Sequence, residues 1–246
     1  MALGVGVFGL APLAATAVVE TRCPEMPSPA PLHLPNLKAA LAAGTEGFIV
    51  AIGSSSTEGV MATDPAHTYP AVLQASLSRA LPKMHFAVLN RGIGGQDAPE
   101  ELARLDSDVI ALHPQVAIWQ VGANGAIRGT DPIVFGRMVT EGVRRLQAAH
   151  IDVVLMDNQR APRVEASGES ELLDEVLARV ATETGASLFS RSMLMENWEQ
   201  EGEPAQHFIS ADGLHHNNRG YVCVARALAD EMVVAIHESR HLSASR

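Results

Sequence analysis

Five short apolar runs, separated by stretches with helical spacing, set the limits on what this chain can fold into. They are Phe48 to Ile52, His85 to Leu89, Val116 to Val121, Val153 to Met156 and Ser187 to Phe189. Short runs dominated by Val, Ile and Leu suit strands buried on both faces. Helical spacing covers Tyr69 to Ala80, Pro99 to Leu112, Pro132 to Ala149, Ser170 to Thr184 and Arg219 to Glu238. Pro99 and Pro132 suit a first helical turn, with Asp131 as the cap before the second. Alternating strands and helices imply crossover connections. The expected fold is an α/β three-layer α/β/α sandwich around a mostly parallel, five-stranded sheet.

At 246 residues and 47% hydrophobic, the chain can bury one sizeable core, and no break in composition divides it. The expected domain runs over residues 47–240. Residues 1–19 carry no charged side chain, and Ala15-Thr16-Ala17 is a small-x-small triplet. This reads as a signal peptide, although the usual positive n-region is missing, and it implies export to the periplasm or outside the cell. Residues 20–46 read as a Pro-rich linker and lead-in, with five prolines between Cys23 and Pro35. The two cysteines, Cys23 and Cys223, either pair or stay as free thiols.

A net charge of −10, without any Lys/Arg run, argues against nucleic acid as a partner, because a phosphate backbone is bound by neutralising it. After the N-terminus no stretch of 18 apolar residues exists, so no membrane span is expected.

In doubly wound sheets, ligands bind beyond the C-terminal ends of the strands. Ser54-Ser55-Ser56 follows the first expected strand, Asn90 to Gly95 the second, Gly122 to Gly125 the third and Asp157 to Arg160 the fourth. Asp212-Gly213-Leu214-His215 would join them. A serine hydroxyl becomes a nucleophile only when a base takes its proton. Asp212 and His215, three residues apart in a turn, can set a carboxylate against one ring nitrogen and leave the other to accept that proton. Gly95 and Asn124 offer a backbone N–H and a side-chain amide for a developing oxyanion.

Each residue also has a plainer reading. The serines could cap a helix, Gly95 could serve a turn with positive φ, and Asn124 could bond its own backbone. His207 and His216 with Asp212 suggest a metal site, but they lack the usual ligand spacing, and no metal is expected. Gly92-x-Gly94 fails as a dinucleotide fingerprint, because its sixth position is Asp97. No organic cofactor is expected either.

Taken together, Ile49 to Gly59, Asn90 to Gly95, Gly122 to Asn124 and Asp212 to His215 resemble the SGNH (GDSL-like) hydrolases, in the family's order and over about residues 48 to 237. The resemblance implies a flavodoxin-like fold, Ser55 as nucleophile, His215 as base, and Asp212 as its orienter. It also implies an oxyanion hole from Ser55, Gly95 and Asn124. Three positions depart from the family pattern. Ser54 stands where Asp is usual and alters the bracing of the turn, Gly125 stands where Asp commonly follows Asn124, and His216 stands where Pro or another residue is frequent. The serine triplet also leaves Ser54 or Ser56 as the alternative exposed hydroxyl.

The expected activity is hydrolysis of small acyl or acetyl esters, on a small molecule or a glycan. Acyl transfer, or an inactive carbohydrate- or partner-binding module on the same scaffold, is the alternative. Arg128, Arg160, Arg163, Trp198 and His207 fall in loops expected to wall the pocket. With 4% aromatic residues there is no broad sugar-stacking platform, and no long apolar lid marks a lipid-facing enzyme.

Overall fold

The computed structural model describes residues 22–25 and 32–243. The expected leader and three of the five prolines lie outside the described residues. Five strands form one sheet: β1 (Gly47–Gly53), β2 (Phe86–Gly92), β3 (Val116–Gln120), β4 (Asp152–Met156) and β5 (Ser187–Phe189). Their order is β2-β1-β3-β4-β5, and every pairing is parallel. This is the flavodoxin-like arrangement, with its switch point between β1 and β3. β3 and β4 are buried at every position, as strands covered on both faces must be.

Helix Tyr69–Ala80 packs against the long C-terminal helix Asn218–Ser243. Helices Ala98–Ala103, Pro132–Ala148 and Ser170–Thr184 pack in a second row. Right-handed crossovers put the two groups on opposite faces of the sheet. Pro132 opens its helix, and the Asp131 carboxylate caps it by accepting from the N–H groups of Ile133 and Val134.

Two regions differ from the sequence expectation. The stretch from Pro99 to Leu112 is not one helix but two short helices, Ala98–Ala103 and Leu105–Asp108, and a 3-10 turn. It breaks at Arg104 (φ −105°, ψ 5°), whose guanidinium donates to the carbonyl oxygens of Gly53 (2.9 Å) and Arg91 (2.7 Å). The lead-in carries a helix, Pro35–Ala42, whose first N–H groups are capped by Asp152 at the start of β4. Leu32, Leu34 and Leu37 of this segment are buried in the core. Cys23 and Cys223 form a disulfide that closes a 200-residue separation and ties the lead-in to the C-terminal helix. No helix among the described residues is long and apolar enough to cross a membrane.

Candidate active site

The loops after β1, β2 and β3 meet the Asp212–His215 turn at the C-terminal edge of the sheet. β1 ends at Gly53, and the chain turns at once into a four-residue helix, Ser55–Glu58. Ser54 and Ser56 are buried, at 3% and 2% exposure, so only Ser55 of the triplet keeps an open hydroxyl. Its Oγ donates to His215 Nε2 at 2.8 Å. His215 Nδ1 in turn donates to Asp212 Oδ2 at 2.6 Å. The other carboxylate oxygen accepts from the N–H groups of Leu214 and His215 (3.0 and 3.1 Å), so a single tight turn aims the carboxylate at the ring. Burial acts to raise the Asp212 pKa, but the bonds from the His215 ring and the two backbone N–H groups outweigh it and hold the carboxyl below its ordinary value. An ionised Asp212 fixes the hydrogen on Nδ1 and leaves Nε2 with a lone pair facing Ser55.

Sequence reasoning missed what holds this turn in place. Gln159 Nε2 donates to the Leu214 carbonyl at 2.9 Å, and the Arg163 N–H donates to that of Gly213 at 3.0 Å. His216 is turned into the core, with Nδ1 donating to the Phe208 carbonyl at 3.2 Å. Burial pushes its pKa down to about 3, so it stays neutral. It is a structural histidine at a position where Pro or another residue is frequent in the family that the chain resembles.

Three further residues, two through their side chains and one through its lack of one, support the serine turn. Asn90, at the end of β2, donates to the Thr57 carbonyl at 2.7 Å and accepts from the Gly92 N–H at 2.8 Å. Gly92 lies so close to the turn that a Cβ there would fall 2.0 Å from the Glu58 nitrogen. Gln120 closes β3 with its side-chain oxygen against Ser54 and Thr57. Gln120 is the one polar residue within the apolar run Val116 to Val121, but nothing in the sequence names its partners.

Gly95 has φ +80° and open space where a side chain would be, and its carbonyl accepts from Arg128. Asn124 lies in the short helix Ala123–Arg128 and donates one amide hydrogen to the Gln96 carbonyl at 2.7 Å. That bond fixes the amide and leaves its second hydrogen free. The N–H groups of Ser55 and Gly95 donate to no other described residue. The arrangement can transfer a proton from a hydroxyl to an imidazole, with fixed N–H donors nearby.

Of the residues expected to wall the pocket, Trp198 does not. It is fully buried against Phe208, with ring centroids 4.4 Å apart, because its helix Arg191–Gln200 turns that face to the core. His207 pairs with Glu203 at 2.7 Å, and Arg160 pairs with Glu165 at 3.1 Å. Among the described residues no group of three or more His, Cys, Asp or Glu side chains is placed to hold a metal ion.

A family model described as the non-GDSL lipase-like family matches residues 21–238. The chain belongs to this family. The resemblance to SGNH (GDSL-like) hydrolases therefore holds at the level of family and fold. No curated protein matches the sequence significantly. Among solved structures, the chain is similar to a two-domain esterase active on acetylated mannans, at 22% identity and a TM-score of 0.72. That match covers 85% of this chain and 55% of the other, so the chain spans about half of that protein's length. It is also similar to an acetylxylan esterase from Geobacillus stearothermophilus, at 20% identity and TM-score 0.64, over 77% of this chain and 95% of that one. A G-D-S-L family protein from Desulfitobacterium hafniense DCB-2 matches at 20% identity and TM-score 0.59, over 76% and 99%. At such identities the likeness is one of fold.

Proposed function

We propose that this protein is a serine ester hydrolase that removes small acyl groups, acetyl above all, from glycan or other small polar esters. The observation that carries the reading is the continuous relay from Ser55 through His215 to Asp212, at 2.8 and 2.6 Å. In the proposed reaction His215 Nε2 takes the Ser55 proton as the oxygen attacks the ester carbonyl. The N–H groups of Ser55 and Gly95 and the Asn124 amide stabilise the oxyanion. Collapse sends the proton from His215 to the departing alcohol, and water then repeats the cycle on the acyl-enzyme.

The acetyl preference draws on the acetylated mannan and acetylxylan substrates of the similar esterases. A disulfide between Cys23 and Cys223 is compatible with export, where such bonds persist.

Ser55→Ala should abolish hydrolysis of p-nitrophenyl acetate with little change in Tm. The wild-type protein should be labelled by a fluorophosphonate, and the variant should not. Turnover that survives Ser55→Ala would sink this reading. Absence of labelling in a folded wild-type protein would favour a binding module instead.

A further inference from the structure

The family pattern has a carboxylate immediately before the nucleophile, where this chain has Ser54. β1 and β3 are adjacent, with Gly53 opposite Gln120 in register, so the side chain at 120 lies beside the serine turn. Gln120 is 1% exposed, and its Oε1 accepts from the Ser54 N–H (3.1 Å), Ser54 Oγ (3.2 Å) and Thr57 Oγ1 (3.2 Å). The amide orientation is decided by chemistry, because a backbone N–H can only donate, so the atom facing it is the oxygen. Thr57 Oγ1 also lies 3.3 Å from the Tyr69 hydroxyl, which extends the network into the helix behind the turn. One acceptor thus holds both ends of the Ser54–Thr57 turn, with Ser55 between them. No space is spare, since a Cβ on Gly53 would fall 2.4 Å from Thr57 Oγ1 and 2.9 Å from Gln120 Oε1.

We propose that Gln120 is the positioning residue for the Ser55 nucleophile, and that its carboxamide supplies from the neighbouring strand β3 the bracing for which the usual Asp stands next to the serine. The proposal rests on the esterase reading. Gln120 acts through the turn and touches none of the reacting atoms. It also makes the two braces mutually exclusive. Ser54 contributes donors to Gln120 Oε1, whereas an aspartate there would face that oxygen with another acceptor. Restoring the family residue should therefore harm this protein, because the Ser54 hydroxyl donor is lost and a carboxylate with no donor of its own would face the Gln120 oxygen in a buried site.

The test uses p-nitrophenyl acetate kinetics, the rate of fluorophosphonate labelling at Ser55, and thermal melts of the full chain. Gln120→Met, which removes the acceptor at similar length, should lower kcat about 100-fold with KM within about threefold, the pattern of a lost transition-state alignment. The labelling rate should fall in parallel. Gln120→Glu, which keeps an oxygen acceptor, should recover at least tenfold of that loss. Ser54→Asp alone should lower kcat at least tenfold. A purely structural role would lower Tm in Gln120→Met while leaving kcat and labelling of the folded fraction unchanged, and that result would overturn the proposal. So would a Ser54→Asp variant as active as the wild type. If Gln120→Met does not fold, Thr57→Val removes one donor to the same oxygen, and an unchanged labelling rate there would count equally against it. Failure of the wild-type protein to label at all would instead strike the esterase reading, which keeps the two failures apart.

Discussion

His215 and His216 are neighbours in sequence with opposite surroundings, and the contrast shows how little residue type alone decides. His216 is packed among Phe208, Tyr221 and the backbone of Gly220, where burial forces it to be neutral. His215 lies between a carboxylate and a hydroxyl, and that carboxylate selects its tautomer. The residue-scale prediction concerns the selection itself. In Asp212→Asn the amide can donate to Nδ1, which would move the ring hydrogen to Nε2 and remove the acceptor that Ser55 needs. Loss of kcat on the order of 10³- to 10⁴-fold is expected, as for an acid-to-amide change in a triad of this kind, with KM and Tm little altered. Steady-state kinetics with p-nitrophenyl acetate would check it, and a loss below about tenfold would mean that Asp212 does not set the tautomer. His216→Phe should act differently, lowering Tm through the lost Phe208 contact, with kcat per folded molecule nearly kept.

At the scale of elements, the site depends on how closely the ends of β1, β2 and β3 approach one another. Gly92→Ala would drive a methyl group to 2.0 Å from the Glu58 nitrogen, so β2 must retreat from the serine turn. Both Tm and fluorophosphonate labelling should fall, labelling by tenfold or more. Gly44→Ala is the contrasting case. Its φ of +76° is strained for alanine, but nothing lies within 4 Å, so a cost of about 1 kcal/mol without loss of activity is expected.

The fold is legible in the sequence where its causes are local and illegible where they arise only from strand register. The apolar runs located all five strands, because burial on both faces marks the central strands β1, β3 and β4 and even the edge strands β2 and β5 keep short apolar runs, and Asp212 to His215 sit close enough to be read as one unit. The break at Arg104 left no such mark, since its cause lies in carbonyls of Gly53 and Arg91, which only the sheet brings near. The short helices Ser55–Glu58 and Ala123–Arg128 leave little trace in the sequence, because neither spans enough residues to show a period; the serine turn could lead into either a helix or a loop. The brace from Gln120 to Ser54 crosses 66 residues and appears only with strand register.

The whole molecule carries several buried acids whose combined titration fixes how its stability depends on pH. Burial pushes Glu101, Asp174 and Glu231 each up to about 8, with the nearby Asp157 charge adding to the shift at Asp174. Unfolded, these groups titrate near their ordinary values of 4.5, 3.8 and 4.5. Between those values and 8 the folded chain therefore holds protons that the unfolded chain has lost, and stability must fall as pH rises through that window. His216 works the other way. It titrates at 6.5 when unfolded and about 3 when folded, so its contribution is lost as pH falls from 6.5 towards 3. Asp212, held low, and Glu203, drawn down to about 2 by Arg219 and His207, also lose their contributions in acid. These three carboxyls, joined by Asp152, Asp157 and Asp230, which burial also raises, outweigh the one histidine and put the expected stability maximum on the acid side of neutrality. Glu101→Gln isolates one member of the set. The amide keeps an acceptor for the Trp119 indole N–H, which Glu101 Oε2 now receives at 2.8 Å, but it has no proton to lose. Thermal melts from pH 4 to 9 should show the variant stabilised at pH 8, nearly unchanged at pH 4.5, and with a flatter decline between them. Equal shifts at both ends would show that Glu101 does not titrate across this range in the folded protein.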